Sequence, residues 1–542
     1  MSVMQRPAAR PDVAGRPVPE ATGRFAALVA TGIFASRLAG FVRQHFLARY
    51  LGLSEAADAF NAAFRIPNVL QNLFGEGVLS ASFIPVYAGL RARGDDEDAT
   101  RLAGAIGSLL ALVTSGLVAL GVLATPLLID AIAPGFAGEE RALTITLVRI
   151  LFPGAGLLVL SAWCLGILNS HRRFLLSYAA PIVWNLAIIV ALLGFGGRTG
   201  EADLAVVAAW ASLVGSALQL LVQLPAVVGL LRRFVPALGL GSRHVREVVR
   251  NFVPVFVGRG VVQISAYVDT MIASFLPVGA VAALTNAQTL YVLPVSLFGM
   301  AVSAAELPVM SSAVGAAEEV AAELRARLDA GLRRIAFLVV PSAMAFLALG
   351  DVLAAALFQA GKFTRDDSVW VWGILAGSAV GLLAQTLGRL YASAYYALRD
   401  TRTPLRFAIV RVALTTALGV CFALPLPPRL GLDPKWGAAG LTVSAGIAGW
   451  VEFALLRRAL GRRIGATGVP APFVARLWAA AGAAAAVAWA VKLAVGPLPP
   501  LALGAVTVAP YGAAYFLVAA ALGVREGRAL LARVPVVGRL PG

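Results

Sequence analysis

Long apolar runs separated by short polar segments fill almost the whole chain. Most runs have about 20 residues or more, and a helix of that length crosses a hydrocarbon core of about 30 Å. The pattern therefore predicts an all-α, polytopic membrane protein with about fourteen transmembrane helices. We place these spans at 25–47, 57–89, 102–132, 142–168, 177–196, 203–231, 251–275, 279–310, 335–358, 368–398, 404–424, 436–456, 470–491 and 499–523.

The basic residues between the spans predict the topology. Clusters of arginine, such as those around Arg232 and Arg457, alternate with loops that hold few basic residues. Cytoplasmic loops of membrane proteins carry the excess of Lys and Arg. We therefore expect both termini to be cytoplasmic, with a disordered tail at 1–24 and a second tail at 524–542.

Composition excludes several classes of protein. Hydrophobic residues make up 59% of the chain and charged residues 13%, and the mean hydropathy is +0.82, so a soluble globule would lack polar surface. The net charge of +17 is dispersed in short clusters between apolar runs, which argues against nucleic-acid binding. Neither the two cysteines nor the three histidines form a disulfide framework or a zinc-binding pattern, so we expect no cofactor and no metal.

Two internal matches predict a duplication. "LFG" followed by "LSASFIPV" (73–86) returns as "LFG" and "VSAAELPV" (297–309), and "HRRFLLSYAAPIV" (171–183) corresponds to "LRDTRTPLRFAIV" (398–410). The similar offsets indicate two six-helix lobes, related by a pseudo-two-fold axis along the membrane normal. We place the N-lobe at 25–232, the C-lobe at 245–463 and two additional helices at 470–523.

Charged residues within the spans indicate a polar pathway. Arg37 and Arg43 together cost about 5 to 7 kcal/mol if both face lipid, about as much as the apolar residues of the first span recover. The two side chains lie about 9 Å apart along the helix and about 120° around it. We therefore expect both arginines to border one wide cavity between the lobes.

The second span carries a tighter pattern. Asp58, Arg65 and Glu76 fall within about 20° of one helical face, which predicts that they line the cavity. Pro67 and two nearby glycines weaken the helix and predict a hinge; the glycines are Gly75 and Gly77. The competing interpretation is that Arg43 and Arg65 reach an interface and pair structurally with Asp58.

The C-lobe offers a further cation and two acids. The repeat offset places Arg259 within one residue of the position equivalent to Arg37, so it is a candidate for the opposite wall of the cavity. Asp269 and Glu306 are candidates for binding a coupling ion or for pairing with Arg259. A satisfied pair within the membrane explains either acid equally well.

The segment "SRLAGFVRQHFLARYLG…ADAFNAAFRIPNVLQNLFGEGVLSASFIPVYA" resembles the signature of the MurJ (MviN) family. These are the bacterial lipid II flippases of the multidrug/oligosaccharidyl-lipid/polysaccharide exporter superfamily. The resemblance extends in matching order through the twelfth span. Other stretches that carry it are "APGF" (133–136), "GILNSHRRF" (166–174), "VQLP" (222–225), "LFQAGKFT" (357–364) and "YALRDTRTP" (396–404).

The resemblance implies a lipid II flippase with a V-shaped cationic cavity that works by alternating access. It implies a location in the bacterial inner membrane and transfer of undecaprenyl-pyrophosphate-linked peptidoglycan precursor to the outer leaflet. It also implies that spans 13 and 14 form a groove for the lipid tail. The positions that match the family's functional residues or adjoin them are Arg37, Arg43, Asp58, Arg65, Asn68, Gln71 and Glu76.

Some positions depart from the family pattern. Gln71 replaces a cavity arginine that is common in the family, and Gln44 replaces an aspartate; in span 8, Gln288, Thr289 and Val292 replace charged residues. We expect Arg259 to restore part of the missing positive charge, since guanidinium can bind phosphate with two parallel hydrogen bonds.

Three other functions compete with this prediction. An exporter of another lipid-linked oligosaccharide or of drugs, from the same superfamily, is favoured by the altered span 8. A polytopic enzyme would need a carboxylate pair in a large loop, which the sequence does not offer. A signalling scaffold has no need to keep Arg37 and Arg43. We therefore predict a transporter that works as a monomer. Peptidoglycan synthases are candidate partners, and the sequence does not identify the coupling ion.

Overall fold

The computed structural model describes residues 20–231, 238–239, 241–312 and 317–531. Within these ranges it describes the backbone alone at 20–30, 33, 76, 255, 257–266, 317 and 531. Every regular element in this part of the chain is helical, which confirms the predicted all-α class. The predicted tails lie largely outside the described residues.

The helices begin and end close to the predicted spans. We number them α1 to α20; a π-helical segment, Val295–Met300, joins α11 to α12, and a 3-10 turn, Pro434–Trp436, precedes α17. They are α1 Glu20–Leu51, α2 Glu55–Phe74, α3 Glu76–Ser82, α4 Ile84–Ala92, α5 Asp96–Leu123, α6 Thr125–Ile132, α7 Gly138–Ser170, α8 Phe174–Phe195, α9 Glu201–Leu231, α10 Arg243–Ala273, α11 Ala280–Pro294, α12 Ala301–Ser311, α13 Ala317–Phe358, α14 Arg365–Ala397, α15 Arg402–Ala423, α16 Leu426–Arg429, α17 Gly437–Ile464, α18 Ala471–Val495, α19 Pro500–Ala521 and α20 Arg525–Leu531.

These helices account for the predicted number of spans. Twelve helical stretches in the described chain are long and apolar enough to cross a membrane. The helices α1 and α10, of 32 and 31 residues, are long enough to supply the other two. The second span is built from α2, α3 and α4, and the eighth from α11, the π-helical segment and α12.

The loops after α7 and α14 have the same backbone geometry. Arg172 and Arg399 both adopt left-handed conformations, with φ of 57° and 59°. The amide of Arg172 donates to the Asn169 carbonyl, and that of Arg399 donates to Tyr396, each at 3.0 Å. Non-glycine residues rarely adopt positive φ. Its occurrence at two positions separated by the predicted repeat offset therefore supports the duplication.

Each lobe has its own hydrophobic core. One cluster of buried side chains is built mainly from α1 to α9, and the other mainly from α10 to α19. The helix α10 contributes to both: Val245 and Val248 pack in the first core, whereas Ile272 and Ala273 pack in the second. This helix therefore crosses from the N-lobe, near its beginning, to the C-lobe, near its end.

The two C-terminal spans pack on the C-lobe. The hydroxyl groups of Tyr511 and Tyr515, on α19, donate to the carbonyls of Pro341 and Phe337 on α13, each at 2.6 Å. A run of small buried side chains on α18, including Ala480 and Ala484, allows close helix packing. These contacts place α18 and α19 beside α13, outside the interface between the lobes.

The break in the second span lies at a glycine. The helix α2 continues through Pro67, which is buried, and ends at Gly75, whose backbone is extended with ψ of −156°. A Cβ atom at Gly75 would lie 2.1 Å from the Gln71 carbonyl oxygen, so no other residue fits this bend without a shift. Of the three predicted hinge residues, Gly75 is the one at the break, and Gly77 follows in α3.

Candidate functional site

A cavity of about 410 Å³ lies between the two lobes. The helices α1 and α2 of the N-lobe form one wall, and α11 of the C-lobe forms the other. Four of the predicted site residues line it: Arg37, Arg43, Arg65 and Asn68. Four of the five positions that depart from the family pattern also line it, namely Gln44, Gln288, Thr289 and Val292.

Arg37 extends from α1 to the opposite lobe. Its Nη1 donates to the Ser296 hydroxyl at 2.9 Å, and the side chain is exposed. Ser296 lies in the π-helical segment, a local irregularity that is frequent at functional sites. The guanidinium therefore spans the interface between the lobes while most of its donors remain accessible from the cavity.

Arg43 is held by aromatic rings. Its guanidinium carbon lies 4.8 Å from the ring centre of Trp184 and 5.4 Å from that of Phe64. Its Nε is buried without a hydrogen-bond partner, and no carboxylate pairs with it in the described part of the chain. Cation–π contacts involve the face of a guanidinium and stabilise its charge. Its N–H donors, which point outward in the plane of the guanidinium, do not take part in these contacts. The positive charge of Arg43 is therefore fixed in position but not neutralised.

Trp184 is itself fixed by neighbouring groups. Its indole N–H donates to the carbonyl of Ser212 at 3.1 Å and lies 3.3 Å from the hydroxyl of the same residue. The Phe64 ring lies 5.6 Å from the ring of Trp184. Because the tryptophan is held by α9 and the phenylalanine by α2, the two rings form a rigid support. We call Trp184 and Phe64 the aromatic support of Arg43.

Arg65 contacts the C-lobe through neutral groups. Its guanidinium donates to the Thr270 hydroxyl and to the Gln288 side-chain oxygen, each at 2.6 Å. The hydroxyl of Tyr267 donates to the Arg65 carbonyl at 3.0 Å. Gln288, where the family carries a charged residue, is thus a direct partner of Arg65.

Asp58 contacts the beginning of α11 and is not among the residues that line the cavity. Its two carboxylate oxygens accept hydrogen bonds from the backbone amides of Gly279 and Ala282, each at 2.7 Å, and the residue is 2% exposed. A carboxylate at the N-terminus of a helix is stabilised by the helix dipole and by unpaired amides. The predicted cavity face of Asp58, Arg65 and Glu76 is therefore wrong for Asp58, which caps a helix of the other lobe.

Additional contacts join the lobes at the end of the cavity near Asp58. Gln44 donates to Asn286 at 2.8 Å, and the Lys362 amide donates to the Arg49 carbonyl at 2.9 Å. The Lys362 ammonium pairs with Glu201. We call this region, with Asp58 at its centre, the closed end of the interface. It seals the cavity from the side where α1 ends and α2 begins.

One further predicted site residue, Gln71, is described but is not among the residues that line the cavity. Gln71 is half-buried on α2, next to the break at Gly75. The side chains of Glu76 and Arg259 lie outside the described residues. The predicted compensation by Arg259 therefore stays a prediction, as does a role for Glu76.

The two acidic candidates for ion coupling are in different surroundings. Asp269, near the end of α10, lies within the electrostatic influence of Arg65 and Arg411. Glu306 on α12 pairs with Arg334 of α13, with an Oε1–Nη1 distance of 3.4 Å, and its second oxygen is buried without a partner among the described residues. In the described residues no group of three or more His, Cys, Asp or Glu side chains is arranged to hold a metal ion.

Sequence reasoning missed the aromatic support and most of the closed end. Trp184 and Phe64 look like ordinary apolar residues of their spans, and only the fold brings them to Arg43. The pairs Gln44–Asn286 and Lys362–Glu201 join residues far apart in the chain. The polar residues within the spans, Gln44 and Asn286, were a usable signal because buried amides require partners.

Comparison with known proteins identifies the family. The sequence model described as "Lipid II flippase MurJ" matches residues 47–498. The chain belongs to this family. It is 33% identical over 436 residues to the lipid II flippase MurJ of Burkholderia cenocepacia, covering 79% of this chain and 81% of the relative. It is also 33% identical over 525 residues to a probable lipid II flippase MurJ of Rhizobium meliloti, covering 92% and 93%.

Solved structures agree with the MurJ family fold. A lipid II flippase MurJ in an inward closed conformation aligns with a TM-score of 0.74 at 21% identity, covering 92% of this chain and 99% of that structure. A multidrug resistance transporter of the MATE family, inward-facing, aligns with a TM-score of 0.61 at 18% identity, covering 79% and 95%. At these identities the similarity concerns the fold. The relatives are named as flippases, which are transporters and not enzymes.

Proposed function

We propose that this chain is a lipid II flippase, which moves undecaprenyl-pyrophosphate-linked peptidoglycan precursor between the leaflets of the bacterial inner membrane. Membership of the MurJ family supports the choice of substrate. The observation that carries the mechanism is the cavity between the lobes, lined by Arg37, Arg43 and Arg65. A diphosphate is the part of the substrate whose charge these guanidinium groups complement.

The cavity supplies what the polar headgroup needs in order to cross hydrocarbon. The prenyl tail is stable in lipid, whereas a diphosphate in hydrocarbon has a large desolvation cost. Arg43 offers a charge that has no carboxylate partner among the described residues, and Arg37 offers exposed donors from the same helix. We infer that both bind the diphosphate directly, with Arg65 and Asn68 contacting it from α2. The groove for the tail remains our proposal for α18 and α19.

We propose that alternating access involves opening of the closed end of the interface. With Asp58 capping α11 there, the cavity is accessible from the opposite side, which we propose to be cytoplasmic, with both termini on that side. Transport to the outer leaflet then requires separation of the Asp58 carboxylate from the amides of Gly279 and Ala282. We propose that bending occurs at Gly75 and Gly77, with Pro67 weakening the adjacent helix.

Additional assignments extend this proposal. Gln71, Glu76 and Arg259 remain proposed substrate-binding residues, and Asp269 and Glu306 remain proposed coupling residues. We propose that the protein works as a monomer and that peptidoglycan synthases act as partners. Flippase complementation by Arg259→Ala tests the compensation proposed for Arg259, because activity equal to wild type in that variant contradicts it.

Depletion rescue tests the proposed function. The chain is expressed in a bacterium depleted of its own lipid II flippase, beside Arg37→Ala and the loop control Arg198→Ala. We expect growth with the wild type and with Arg198→Ala, and no growth with Arg37→Ala at equal membrane abundance. Failure of the wild type to rescue, with the protein present in the membrane, contradicts the proposed function.

A further inference from the structure

A second basic cavity lies outside the interface between the lobes. Its volume is about 740 Å³, and α13, the start of α18 and the residues after α19 form its walls. Four arginines and a single glutamate supply the charged groups of its lining. They are Arg333, Arg334, Arg476, Arg525 and Glu526. We call this cavity the basic pocket.

The arginines of the basic pocket differ in their partners. Arg333 is neutralised by Glu526, with Nε 3.0 Å from Oε1, and its guanidinium lies 4.0 Å from the ring centre of Phe473. Arg334 contacts Glu306 at 3.4 Å, yet 64% of its side chain is exposed. Arg476 and Arg525 are exposed and have no ion-pair partner among the residues that the structure describes. The pocket therefore retains a positive charge that no carboxylate among the described residues balances.

The start of α18 adds to this charge. Pro470, Pro472 and Phe473, at the beginning of the helix, line the pocket, and the N-terminus of a helix carries a partial positive charge. Arg476 lies close to this end, where a cation is electrostatically unfavourable in the absence of an anion. Its Nη1 lies close to Gly523, about 4.0 Å from where a side chain would begin at that position. Gly523 has a left-handed φ of 79°, which turns the chain after α19.

The basic pocket lies at the level expected for a membrane surface. From Arg334 to the end of α13 at Phe358 is about 36 Å at a rise of about 1.5 Å per residue. That distance exceeds a hydrocarbon core of about 30 Å by only a few ångströms. The helices α18 and α19, which begin or end at the pocket, have similar lengths of 25 and 22 residues. The arginines thus lie where phosphate groups of lipids are found.

We propose that the basic pocket binds a phosphate group, and that an anionic phospholipid headgroup supplies it. Arg476 and Arg525 bind the phosphate oxygens directly, with Arg334 at the edge of the site. Bound phosphate would link α13, α18 and α20 by neutralising cations on all three segments. Basic pockets between transmembrane helices are suited to anionic headgroups, because the acyl chains can remain in the bilayer. This proposal does not depend on the substrate of the central cavity.

Lipid binding by the purified full chain tests the proposal. Thermal unfolding and native mass spectrometry are carried out with added phosphatidylglycerol, with phosphatidylcholine, or with inorganic phosphate. We expect phosphatidylglycerol to raise the Tm of the wild type by several degrees and to remain bound, whereas phosphatidylcholine does neither. An equal increase with inorganic phosphate assigns the pocket to free phosphate and overturns the lipid headgroup as its source.

Charge-removing variants connect the effect to the pocket. In the double variant Arg476→Gln/Arg525→Gln we expect at least about a fivefold loss of retained phosphatidylglycerol. Arg462→Gln, an exposed arginine at the end of α17 that does not line the pocket, serves as the matched control and should bind as the wild type does. Equal retention by the double variant and the wild type overturns the proposal.

A gain of binding provides an independent test should the double variant fold poorly. Glu526→Gln removes the carboxylate that neutralises Arg333, so the pocket gains positive charge and phosphatidylglycerol retention should increase. High salt should weaken binding in every variant, since exposed charges are screened. Unchanged or reduced retention in a folded Glu526→Gln protein contradicts the proposal.

Discussion

The two lobes share one architecture but use their charged residues differently. In the N-lobe, Arg43 lies against aromatic rings and has no carboxylate partner within the described residues. In the C-lobe, Arg411 pairs with Glu452 at 3.1 Å and Arg463 pairs with Asp400 at 2.7 Å. Toward the cavity the C-lobe presents neutral groups such as Gln288. The structure thus holds Arg43 of the N-lobe between aromatic rings, whereas carboxylates neutralise these two arginines of the C-lobe.

This difference separates charges that hold the structure from charges available to a ligand. A buried ion pair leaves little charge for a third group, and breaking it is costly. An arginine held by aromatic rings keeps its donors and needs no carboxylate to leave when a ligand arrives. The N-lobe wall is therefore the wall on which we expect anion binding to depend.

Removal of the Arg43 charge should have the largest effect. For Arg43→Ala we expect at least about a tenfold loss of flippase activity, because charge-assisted hydrogen bonds contribute about 1.5 to 3 kcal/mol each. The Tm should change little, since the guanidinium satisfies no carboxylate in the described chain. Growth rescue with immunoblotting of membranes measures both activity and abundance. A variant that rescues fully contradicts the assignment of Arg43.

Removal of the Asp58 cap should weaken the contact between the lobes. Asp58→Ala leaves the amides of Gly279 and Ala282 without their partner, at a cost of about 1 to 3 kcal/mol for each buried amide. We expect a lower Tm and a larger separation of the lobes at the closed end, measured between spin labels on each lobe. Asp58→Asn keeps one acceptor oxygen and should show a smaller change in both. Unchanged spin-label distances in Asp58→Ala contradict the proposed role of the closed end.

The order of these two effects distinguishes ligand binding from structure. Arg43→Ala should lose activity at normal stability, whereas Asp58→Ala should lose stability together with transport. If Arg43→Ala instead unfolds at a much lower temperature than the wild type, the Arg43 charge stabilises the fold as the ion pairs of the C-lobe do. That result contradicts the proposed difference between the two lobes.

Loss of the aromatic support should produce an intermediate effect. Trp184→Leu removes one ring beside Arg43, and a desolvated cation–π contact contributes about 0.5 to 2 kcal/mol. We expect about a two- to thirtyfold weaker binding of lipid II in a direct binding assay with purified protein. Trp210→Leu, an exposed tryptophan on α9, is the matched control. Equal weakening by both variants indicates a general loss of packing.

The smallest effect concerns a loop in which the two repeats differ. Asp400 accepts hydrogen bonds from the amide and hydroxyl of Thr403, and these bonds, together with Arg463, lower its pKa from 3.8 to about 2. The equivalent position in the first repeat is Arg173. Because the folded-state pKa lies below the ordinary value, the stabilisation is present above about pH 4 and is lost as the pH falls towards 2.

The pH dependence of the Tm checks this difference between the loops. Asp400→Asn should have a slightly lower Tm at neutral pH and a flatter decrease of Tm below about pH 4 than the wild type. Arg173→Asn, at the equivalent position, should leave the decrease of Tm below about pH 4 unchanged. Identical pH profiles for Asp400→Asn and the wild type contradict the assigned cap.

The fold was predictable from the sequence because apolar length and period determine membrane helices directly. The duplication stays a prediction from the sequence, which the same unusual backbone conformation at Arg172 and Arg399 supports. The break in the second span was predicted only as a region: Pro67 lies inside a continuous helix, and Gly75 is where the chain bends. A proline ring can fit in a helix when neighbouring groups satisfy the freed carbonyl, so composition alone did not locate the break.

The site was predictable as far as single helices determine it. The cost of placing Arg37 and Arg43 in lipid predicted that both face a polar cavity, and both line one. The spacing of Asp58 and Arg65 predicted a common helical face that lines the cavity, but not that the N-terminus of α11 would bind one of the two side chains and the cavity receive the other. Partners supplied by the other lobe depend on the tertiary arrangement of the helices, which the local pattern does not contain.

The most direct measurement is the affinity of purified wild-type protein and Arg43→Gln for lipid II, with Arg198→Gln as the control for charge removal. We predict that Arg43→Gln binds lipid II about tenfold to a hundredfold more weakly than the wild type, while Arg198→Gln binds normally. Equal affinities of the wild type and a folded Arg43→Gln protein would contradict the central claim that Arg43, which has no carboxylate partner in the described part of the chain, binds the diphosphate.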